Sequence, residues 1–295
     1  MKYIALLIFS IILSSCTQDF GKLTKAVSLP NYMHEVSGIE IIPQSNLIWM
    51  INDSGNEPVL VGYNPKTKNL DKAITIENAE NKDWEDLAGD NEGNIYIGDF
   101  GNNKSDRKDL AIYKVKNPAN LSENKTNASI IKFTLEDQEK FPPKRYNRNF
   151  DIESFIYKDG NFYLFSRNRS SNQFDGTVKL YKLSATDGST KAKLIRSDFK
   201  ACDDRRVCQI TAADIDENTG KIALLSAQNV YILSDYKGDD FFSGKIEILQ
   251  IGHNSQKEGI AFKNSDTLYI TDELRGASGG NIYELPIEKL ESVNN

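Results

Sequence analysis

Trp84-Glu85-Asp86-Leu87-Ala88 is one of five stretches in this sequence that place an oxygen-bearing residue just ahead of a small apolar run. The other four are Val36-Ser37-Gly38-Ile39, Ile152-Glu153-Ser154-Phe155, Ile210-Thr211-Ala212-Ala213 and Lys257-Glu258-Gly259-Ile260-Ala261. About ten residues after each of them comes a segment rich in aromatic and aliphatic residues, namely 47–51, 94–97, 161–165, 221–225 and 267–270. Self-similarity at a spacing of several tens of residues is typical of repeat proteins, and strands in groups of four are typical of propeller blades.

The strand pattern predicts an all-β fold, and more specifically a five-bladed β-propeller of four-stranded blades. The fifth repeat has only three strands of its own after Glu258. Residues 23–29 alternate polar and apolar side chains, as a half-buried strand does. We expect this N-terminal strand to close the last blade, because closure removes an exposed sheet edge. A six-bladed propeller would need a further set of strands, which the sequence does not contain.

The N-terminal residues have the composition of an export signal. Lys2 precedes an apolar run at 4–13, and small residues follow it up to Cys16. Leu13-Ser14-Ser15-Cys16 looks like a bacterial lipobox, which predicts cleavage and lipidation at Cys16; a plain secretory signal with a chance cysteine is the alternative. We expect a protein of the bacterial cell envelope, held to a membrane by its lipid. Thr17 is not the aspartate used for inner-membrane retention in some bacteria, which favours the outer membrane.

No low-complexity linker divides the rest of the chain. The predicted organisation is therefore a signal peptide at 1–15, a tether at 16–21, a single propeller domain at 22–288 and a C-terminal tail at 289–295. The 36 Lys and Arg residues are interleaved with 42 Asp and Glu residues, giving a net charge of −6. A nucleic-acid binder usually shows a basic face, so we expect no nucleic-acid partner.

Cys202 and Cys208 flank the polar loop 203–207. In an exported protein, this spacing predicts a disulfide that closes the loop. A zinc site is the alternative, although two thiols without a nearby histidine make a poor ligand set.

The five oxygen-bearing residues define a candidate metal site. They stand at equivalent places in the predicted innermost strands, where alternation points every second side chain into the central channel. Three carboxylates about 6 Å apart repel one another by on the order of 3 kcal/mol per pair at an effective dielectric near 20. Oxygen ligands without histidine or thiol favour Ca²⁺. The alternative is that these groups bond to strand-end amides and bind no metal. The predicted ring consists of Ser37, Glu85, Glu153, Thr211 and Glu258.

The order of these five residues resembles that of the calcium-activated nucleotidase (soluble apyrase) family, five-bladed propellers with calcium in the central channel. Further matching motifs are Asp53-Ser54-Gly55, Tyr96-Ile97-Gly98 with Gly101, Phe165-Ser166-Arg167-Asn168-Arg169-Ser170 and Glu258-Gly259-Ile260-Ala261-Phe262. The likeness spans residues 37–285. Two departures are Asn168, which interrupts the arginine-rich turn, and Thr211, where a serine is usual.

The resemblance implies calcium-assisted hydrolysis of nucleoside di- or triphosphates, or of a related phosphorylated compound. Arg167 and Arg169, with Arg145 or Arg148, would then neutralise phosphate oxygens, since guanidinium groups suit phosphate well. Solvated ion pairs are the alternative for these arginines. Asp53 and Asp99 follow the second strands of two repeats. There they could orient water or act as acid–base groups, or bond their own backbone as turn aspartates do.

Two other functional classes stay open. A non-catalytic propeller could present a loop face to an envelope protein or glycan and use calcium for rigidity. A six-bladed calcium-dependent esterase or phytase-like propeller fits the strand count less well. Propellers that share only their architecture carry unrelated functions, so the fold by itself does not choose between these classes.

Overall fold

The computed structural model describes residues 18–171, 174–186, 188 and 190–289. These residues form an all-β protein, which confirms the predicted fold class. Its strands are β1 (Thr24–Ser28), β2 (Val36–Glu40), β3 (Ile48–Asn52), β4 (Val59–Asn64), β5 (Asn69–Ile76), β6 (Trp84–Gly89), β7 (Ile95–Asp99), β8 (Leu110–Val115), β9 (Lys125–Thr126), β10 (Ser129–Leu135), β11 (Asp151–Lys158), β12 (Asn161–Arg167), β13 (Thr177–Ser184), β14 (Lys191–Lys200), β15 (Ile210–Asp216), β16 (Lys221–Ser226), β17 (Asn229–Ser234), β18 (Lys245–Gln250), β19 (Lys257–Asn264), β20 (Thr267–Asp272) and β21 (Asn281–Pro286). The helices of the described residues are α1 (Arg205–Cys208) and short 3-10 helices at Asn31–Met33, Pro118–Asn120, Arg145–Asn147, Phe241–Ser243 and Ile287–Lys289.

Hydrogen bonds join the strands into antiparallel groups that follow chain order. β15 to β18 form one sheet, and β2 to β5 form another, which β9 extends by parallel pairing with β5. A third group contains β6, β7, β8 and β10, and a fourth contains β11 to β14. Parallel pairing of β10 with β14 joins these two groups into one eight-stranded sheet. β19 to β21 form the last group, with β1 paired to β21 as its outer strand.

Alternating side chains let each central strand pack on two neighbours at once. In β16, Ile222 and Leu224 belong to one hydrophobic cluster, whereas Ala223 and Leu225 belong to another. All four side chains are fully buried. A strand with both faces buried reads as a continuous apolar run, which explains the sequence of this segment. The core is therefore a series of layers between facing sheets.

The first strands of the five groups contact one another in a closed cycle. β2 packs on β6, β6 on β11, β11 on β15, β15 on β19, and β19 returns to β2. These strands are buried along almost their whole length. Their N-terminal ends therefore meet at one end of the molecule, which is where the predicted ring residues stand.

Cys202 and Cys208 are joined by a disulfide, as the sequence predicts. Their Cα atoms lie 5.5 Å apart. The closed loop contains α1, which Asp204 caps by accepting a hydrogen bond from the backbone N–H of Arg206 at 2.9 Å. Because both sulfur atoms take part in the disulfide, this pair is not a zinc site.

The predicted signal peptide and Cys16 lie outside the described residues, as do residues 290–295 of the predicted tail. Within the described part of the chain, no helix has the length and apolar character needed to cross a membrane.

Leu23 tests how much the N-terminal segment contributes to stability. It precedes β1, is 6% exposed and packs in the cluster that includes Tyr283 and Leu285 of β21. We expect Leu23→Ala to lower the free energy of unfolding by about 2–4 kcal/mol, because it removes buried methyl groups and leaves a cavity. Urea denaturation followed by tryptophan fluorescence measures the change. Thr24→Ala, at an exposed neighbour, is the control, and equal stability of the two variants would contradict a packed N-terminal segment.

Candidate metal centre

A β-bulge lies at each of the five oxygen-bearing residues that the repeats single out. The register between the first and second strands of each group shifts between Val36 and Ile39, Trp84 and Asp86, Ile152 and Ser154, Ile210 and Ala212, and Lys257 and Gly259. Each shift brackets one predicted ring residue. Bulges re-aim a side chain and are frequent beside active sites. The five residues therefore leave the regular alternation at the same level of their strands.

Four of the five residues line one small polar cavity of about 190 Å³, which we call the carboxylate cavity. Its complete lining is Ser37, Asp53, Glu85, Asn103, Glu153, Arg167, Arg169, Gln256 and Glu258. Thr211 lines an adjacent cavity instead. The hydroxyl of Thr211 donates a hydrogen bond to the backbone carbonyl of Lys257 at 2.6 Å. The hydroxyl of Ser37 donates a hydrogen bond to the backbone carbonyl of Glu85. Both hydroxyl oxygens keep lone pairs for a cation.

Asp83 and Asp151, which were not predicted as site residues, also belong to the carboxylate cluster. Carboxylate oxygens of Glu85, Asp151 and Glu153 lie within 4.8 Å of one another, and so do those of Asp53, Asp83 and Glu85. Asp83 and Asp151 each stand two residues before a ring glutamate. The repeated Asp-X-Glu spacing at 83/85 and 151/153 was a sequence signal for both residues.

Two arginines, Arg167 at the end of β12 and Arg169 just after it, hold the cluster. The Nη1 of Arg167 donates to Glu153 at 2.7 Å, and the Nη2 of Arg169 donates to the other oxygen of Glu153 at 2.6 Å. The Nε of Arg169 also donates to Asp151 at 2.5 Å. Glu153 is only 1% exposed, so these pairs are shielded from solvent. Arg167 and Arg169 therefore lie where a bound anion would meet the cluster.

Burial and neighbouring charges set the protonation of the carboxyl groups. Burial, with the charges of Glu153 and Asp53, raises the pKa of Glu85 well above its usual value. Burial raises the pKa of Glu258 to about 8. Burial would also raise the pKa of Glu153, but Arg167 and Arg169 lower it to about 2. Glu153 is therefore the fixed anion of the cluster, while Glu258 keeps a proton near neutral pH when no cation is bound.

The remaining predicted site residues take different positions. Asp53 lines the carboxylate cavity and accepts a hydrogen bond from the backbone N–H of Ser54. Asp99 does not line it; it forms an ion pair with Arg107 at 2.9 Å. Arg145 is exposed on its 3-10 helix and is also absent from the lining. The structure thus brings Asp53 to the cluster, and leaves Asp99 and Arg145 outside it.

The donor set of the carboxylate cavity fits a hard divalent cation. Its lining provides carboxylates, a serine hydroxyl and the Asn103 and Gln256 amides, and no histidine or cysteine. Calcium takes six to eight such oxygen ligands. Protonated carboxyl groups can become ligands by releasing their protons to solvent. The arrangement can therefore bind a cation and hold an anion against it with guanidinium groups.

Comparisons with known proteins support the fold. No protein-family model matches the sequence, and no curated protein does. The solved structures that it resembles are propeller-like. The major allergen Mala s 1 of Malassezia sympodialis superposes with a TM-score of 0.55 at 15% identity, over 92% of this chain and 96% of that one. A luciferin-regenerating enzyme superposes with a TM-score of 0.50 at 13% identity, over 92% of this chain and 97% of that one. At these identities the likeness concerns the fold alone.

Proposed function

We propose that this chain is a five-bladed β-propeller that binds Ca²⁺ in the carboxylate cavity and hydrolyses a phosphorylated compound. The five-blade arrangement is supported by the closed cycle of β2, β6, β11, β15 and β19. Each of these strands begins a group of consecutive antiparallel strands, and β1 completes the last group. One blade per inner strand accounts for both observations.

The convergence of bulged, oxygen-bearing residues on one cavity carries the calcium proposal. Glu85, Glu153 and Glu258, together with the hydroxyl of Ser37, would hold the ion, and Thr211 borders it from the adjacent cavity. Arg167 and Arg169 pair with Glu153, but Glu85 and Glu258 have no ion-pair partner among the described residues and are unfavourable as buried anions without a further counter-charge. A divalent cation supplies that charge, and histidine or thiol ligands that would favour zinc are absent from the lining.

Hydrolysis of a phosphoanhydride is the reaction that suits the groups around this cavity. A bound cation would supply Lewis acidity to a phosphoryl oxygen. Arg167 and Arg169 point guanidinium N–H groups at the cluster and would orient the other phosphoryl oxygens. Asp53 lines the cavity, whereas Asp99 is paired with Arg107 outside it, so Asp53 is the better placed of the two predicted aspartates to accept a proton. Asp53 would take a proton from the attacking water as the bond from phosphorus to the bridging oxygen breaks.

A non-catalytic envelope scaffold is the second candidate. It is favoured by the ion pairs of Arg167 and Arg169 with Glu153, which already satisfy much of their hydrogen-bonding capacity. In that case the cation would stabilise the ring of strands, and the loops would contact a protein partner. Calcium binding without turnover of any phosphorylated substrate distinguishes this function from hydrolysis.

We also propose attachment to the bacterial outer membrane through a lipid on Cys16. The proposal is supported by the lipobox-like residues 13–16. Two or more acyl chains would anchor the protein stably, since each buried methylene adds about 0.8 kcal/mol. Mass spectrometry of the N-terminal peptide would reveal acylation, and an unmodified Cys16 would contradict the anchor.

Glu85→Gln is the sharpest test of the calcium site. Glu85 belongs to both carboxylate groups, and no lysine or arginine lies within ion-pair distance of it among the described residues. We expect calorimetry to show Ca²⁺ binding to the protein and a loss of about 100-fold or more in affinity on this substitution. Phosphate release from nucleoside diphosphates should fall in parallel.

Two further variants complete this experiment. Glu153→Gln removes another proposed ligand and should weaken Ca²⁺ binding similarly. Glu123→Gln changes an exposed glutamate and is the matched control, for which we expect no change. If the unmodified protein bound no Ca²⁺, or if Glu85→Gln bound it as well as the control, the proposed cation site would be wrong.

A further inference from the structure

We infer that the cavity beside the carboxylate cavity is an anion subsite, in which the disulfide-closed loop presents Arg205 to a phosphate-type group. The inference rests on the proposed function, because turnover of a substrate needs the cation site beside the subsite, although the subsite binds an anion without the cation. The recognition element is Arg205 in the loop 202–208, and this loop contains none of the ring residues. The inference also defines the class of substrate, namely a compound with two linked anionic groups.

The anion subsite is a cavity of about 380 Å³ that shares lining residues with the carboxylate cavity. Arg167, Gln256 and Glu258 line both cavities. The larger cavity also contains Arg205 and Arg206, whereas Glu258 is the one acidic residue of its lining. A space with more guanidinium groups than carboxyl groups favours an anionic occupant. The volume exceeds what a single phosphate needs and leaves room for a further part of the ligand.

Arg205 is held in place without being neutralised. Its Nη2 donates to the backbone carbonyl of Ser170, and its guanidinium carbon lies 5.1 Å from the ring centre of Phe174. No carboxylate of the described residues lies within ion-pair distance of Arg205. Both arginines are exposed; Arg206 differs in that it pairs with Asp204 at 3.0 Å. A positioned and uncompensated guanidinium is suited to phosphate recognition.

A buried donor of Arg167 independently indicates a ligand. The Nε of Arg167 is inaccessible to solvent and has no hydrogen-bond partner, although Nη1 of the same group bonds to Glu153. Leaving a buried charged donor unpaired is unfavourable, so such groups usually mark a missing partner. Arg167 lines both cavities. An anion bound between Arg167 and Arg205 would supply the acceptor once the Arg167 guanidinium turns its Nε towards the cavity.

The disulfide links this recognition to the carboxylate cluster. Cys202 and Cys208 close the loop that carries Arg205, and the carbonyl that Arg205 contacts belongs to Ser170, next to Arg169. Opening the loop would release Arg205 from the segment that holds the cluster. A substrate with one phosphate in each cavity would therefore be bound by both. When the bond between the two phosphates of such a substrate is hydrolysed, the leaving group is itself a negatively charged phosphate.

Pyrophosphate binding in EDTA tests the subsite separately from the cation. Calorimetry should show binding to the protein and a loss of about tenfold or more for Arg205→Gln. Arg196→Gln is the control, because it removes the same charge from an arginine that pairs with Asp198 and Asp240 on another face. We expect this control to bind pyrophosphate like the unmodified protein. Circular dichroism and thermal melting establish that each variant is folded.

Reduction of the disulfide is a second test. It removes no positive charge, so weaker anion binding after reduction would have to come from the opened loop. Reducing the protein should weaken pyrophosphate binding to the level of Arg205→Gln, and should have no further effect on that variant. No binding to the unmodified protein, equal binding by Arg205→Gln, or insensitivity to reduction would each overturn the inference. Absence of Ca²⁺ binding in a separate titration would instead overturn the proposed function, since the anion titration contains no cation.

Discussion

In EDTA, the melting temperature of this protein is expected to fall as the pH rises from 5 to 8, and Ca²⁺ is expected to restore it. The cause is a set of buried carboxyl groups with raised pKa values. Burial raises the pKa of Glu258 to about 8, that of Asp214 to about 7 and that of Glu273 to about 7. Arg167 opposes the shift at Glu258, whereas the charges of Glu153 and Glu273 add to it.

Stability changes with pH because the folded and unfolded states hold different numbers of protons. In the unfolded chain these carboxyl groups titrate near pH 4, so between pH 4 and 8 the folded state binds more protons than the unfolded state. Stability therefore decreases with increasing pH over this range. A shift like that of Glu258, from 4.5 to about 8, corresponds to on the order of 5 kcal/mol, or on the order of 10 °C in melting temperature.

Glu153 has the opposite dependence. Because its pKa is lowered to about 2, its contribution is present above pH 4.5 and is lost only as the pH falls towards 2. We therefore expect maximum stability without a cation near pH 5. Calcium replaces the protons at the cluster and should flatten the alkaline side of the curve.

Differential scanning calorimetry across pH 3 to 9, in EDTA and in Ca²⁺, measures both limbs. Glu258→Gln should flatten the EDTA curve above pH 5, because the amide does not ionise. Glu123→Gln, at an exposed position, should leave it unchanged. A melting temperature that rose from pH 5 to 8 in EDTA would contradict the protonation described for the cluster.

The second large effect is expected for Asp86→Ala. Asp86 is fully buried in β6, and its Oδ2 accepts hydrogen bonds from the backbone N–H groups of Phe155 in β11 and Ala213 in β15, both at 3.2 Å. Its Oδ1 accepts one from Leu87 at 2.9 Å. One side chain therefore joins three of the five inner strands. Burial raises its pKa above the usual value, and the three backbone N–H bonds oppose this shift.

Alanine at this position leaves the N–H groups of Phe155 and Ala213 buried without an acceptor. Each unsatisfied group costs about 1–3 kcal/mol, so we expect a loss of about 3–5 kcal/mol in the free energy of unfolding. Asp86→Asn keeps one oxygen acceptor and should cost about 1–2 kcal/mol. Urea denaturation measures both variants against Asp203→Ala, which changes an exposed aspartate. Equal stability of Asp86→Ala and Asp203→Ala would show that this connection does not stabilise the inner strands.

The sequence predicted the positions that repeat, because equivalent residues in successive strands are visible as a pattern. Glu85, Glu153 and Glu258 were found in this way, and the cavity unites them with Ser37. The disulfide followed from the spacing of its two cysteines. Asp83 and Asp151 could have been found from the repeat itself, since each stands two residues before a ring glutamate.

Other features depend on contacts between distant segments and left no local pattern. Asp53 and Asp99 follow corresponding strands, yet Asp99 is drawn into an ion pair by Arg107 of its own loop. The orientation of Arg205 depends on Ser170 and Phe174, which the fold brings beside the disulfide loop. The parallel pairing of β10 with β14 joins only two residue pairs and comes from the packing of neighbouring sheets.

The pairing of β1 with β21 gives this protein a late-folding seam. Thr24 pairs with Glu284, so the two halves of this contact lie at opposite ends of the described chain. Contacts between such distant residues form slowly, because a long loop must be ordered before they add stability. β1 has no partner until β21 is in place. We therefore expect the ring of sheets to close last at this seam.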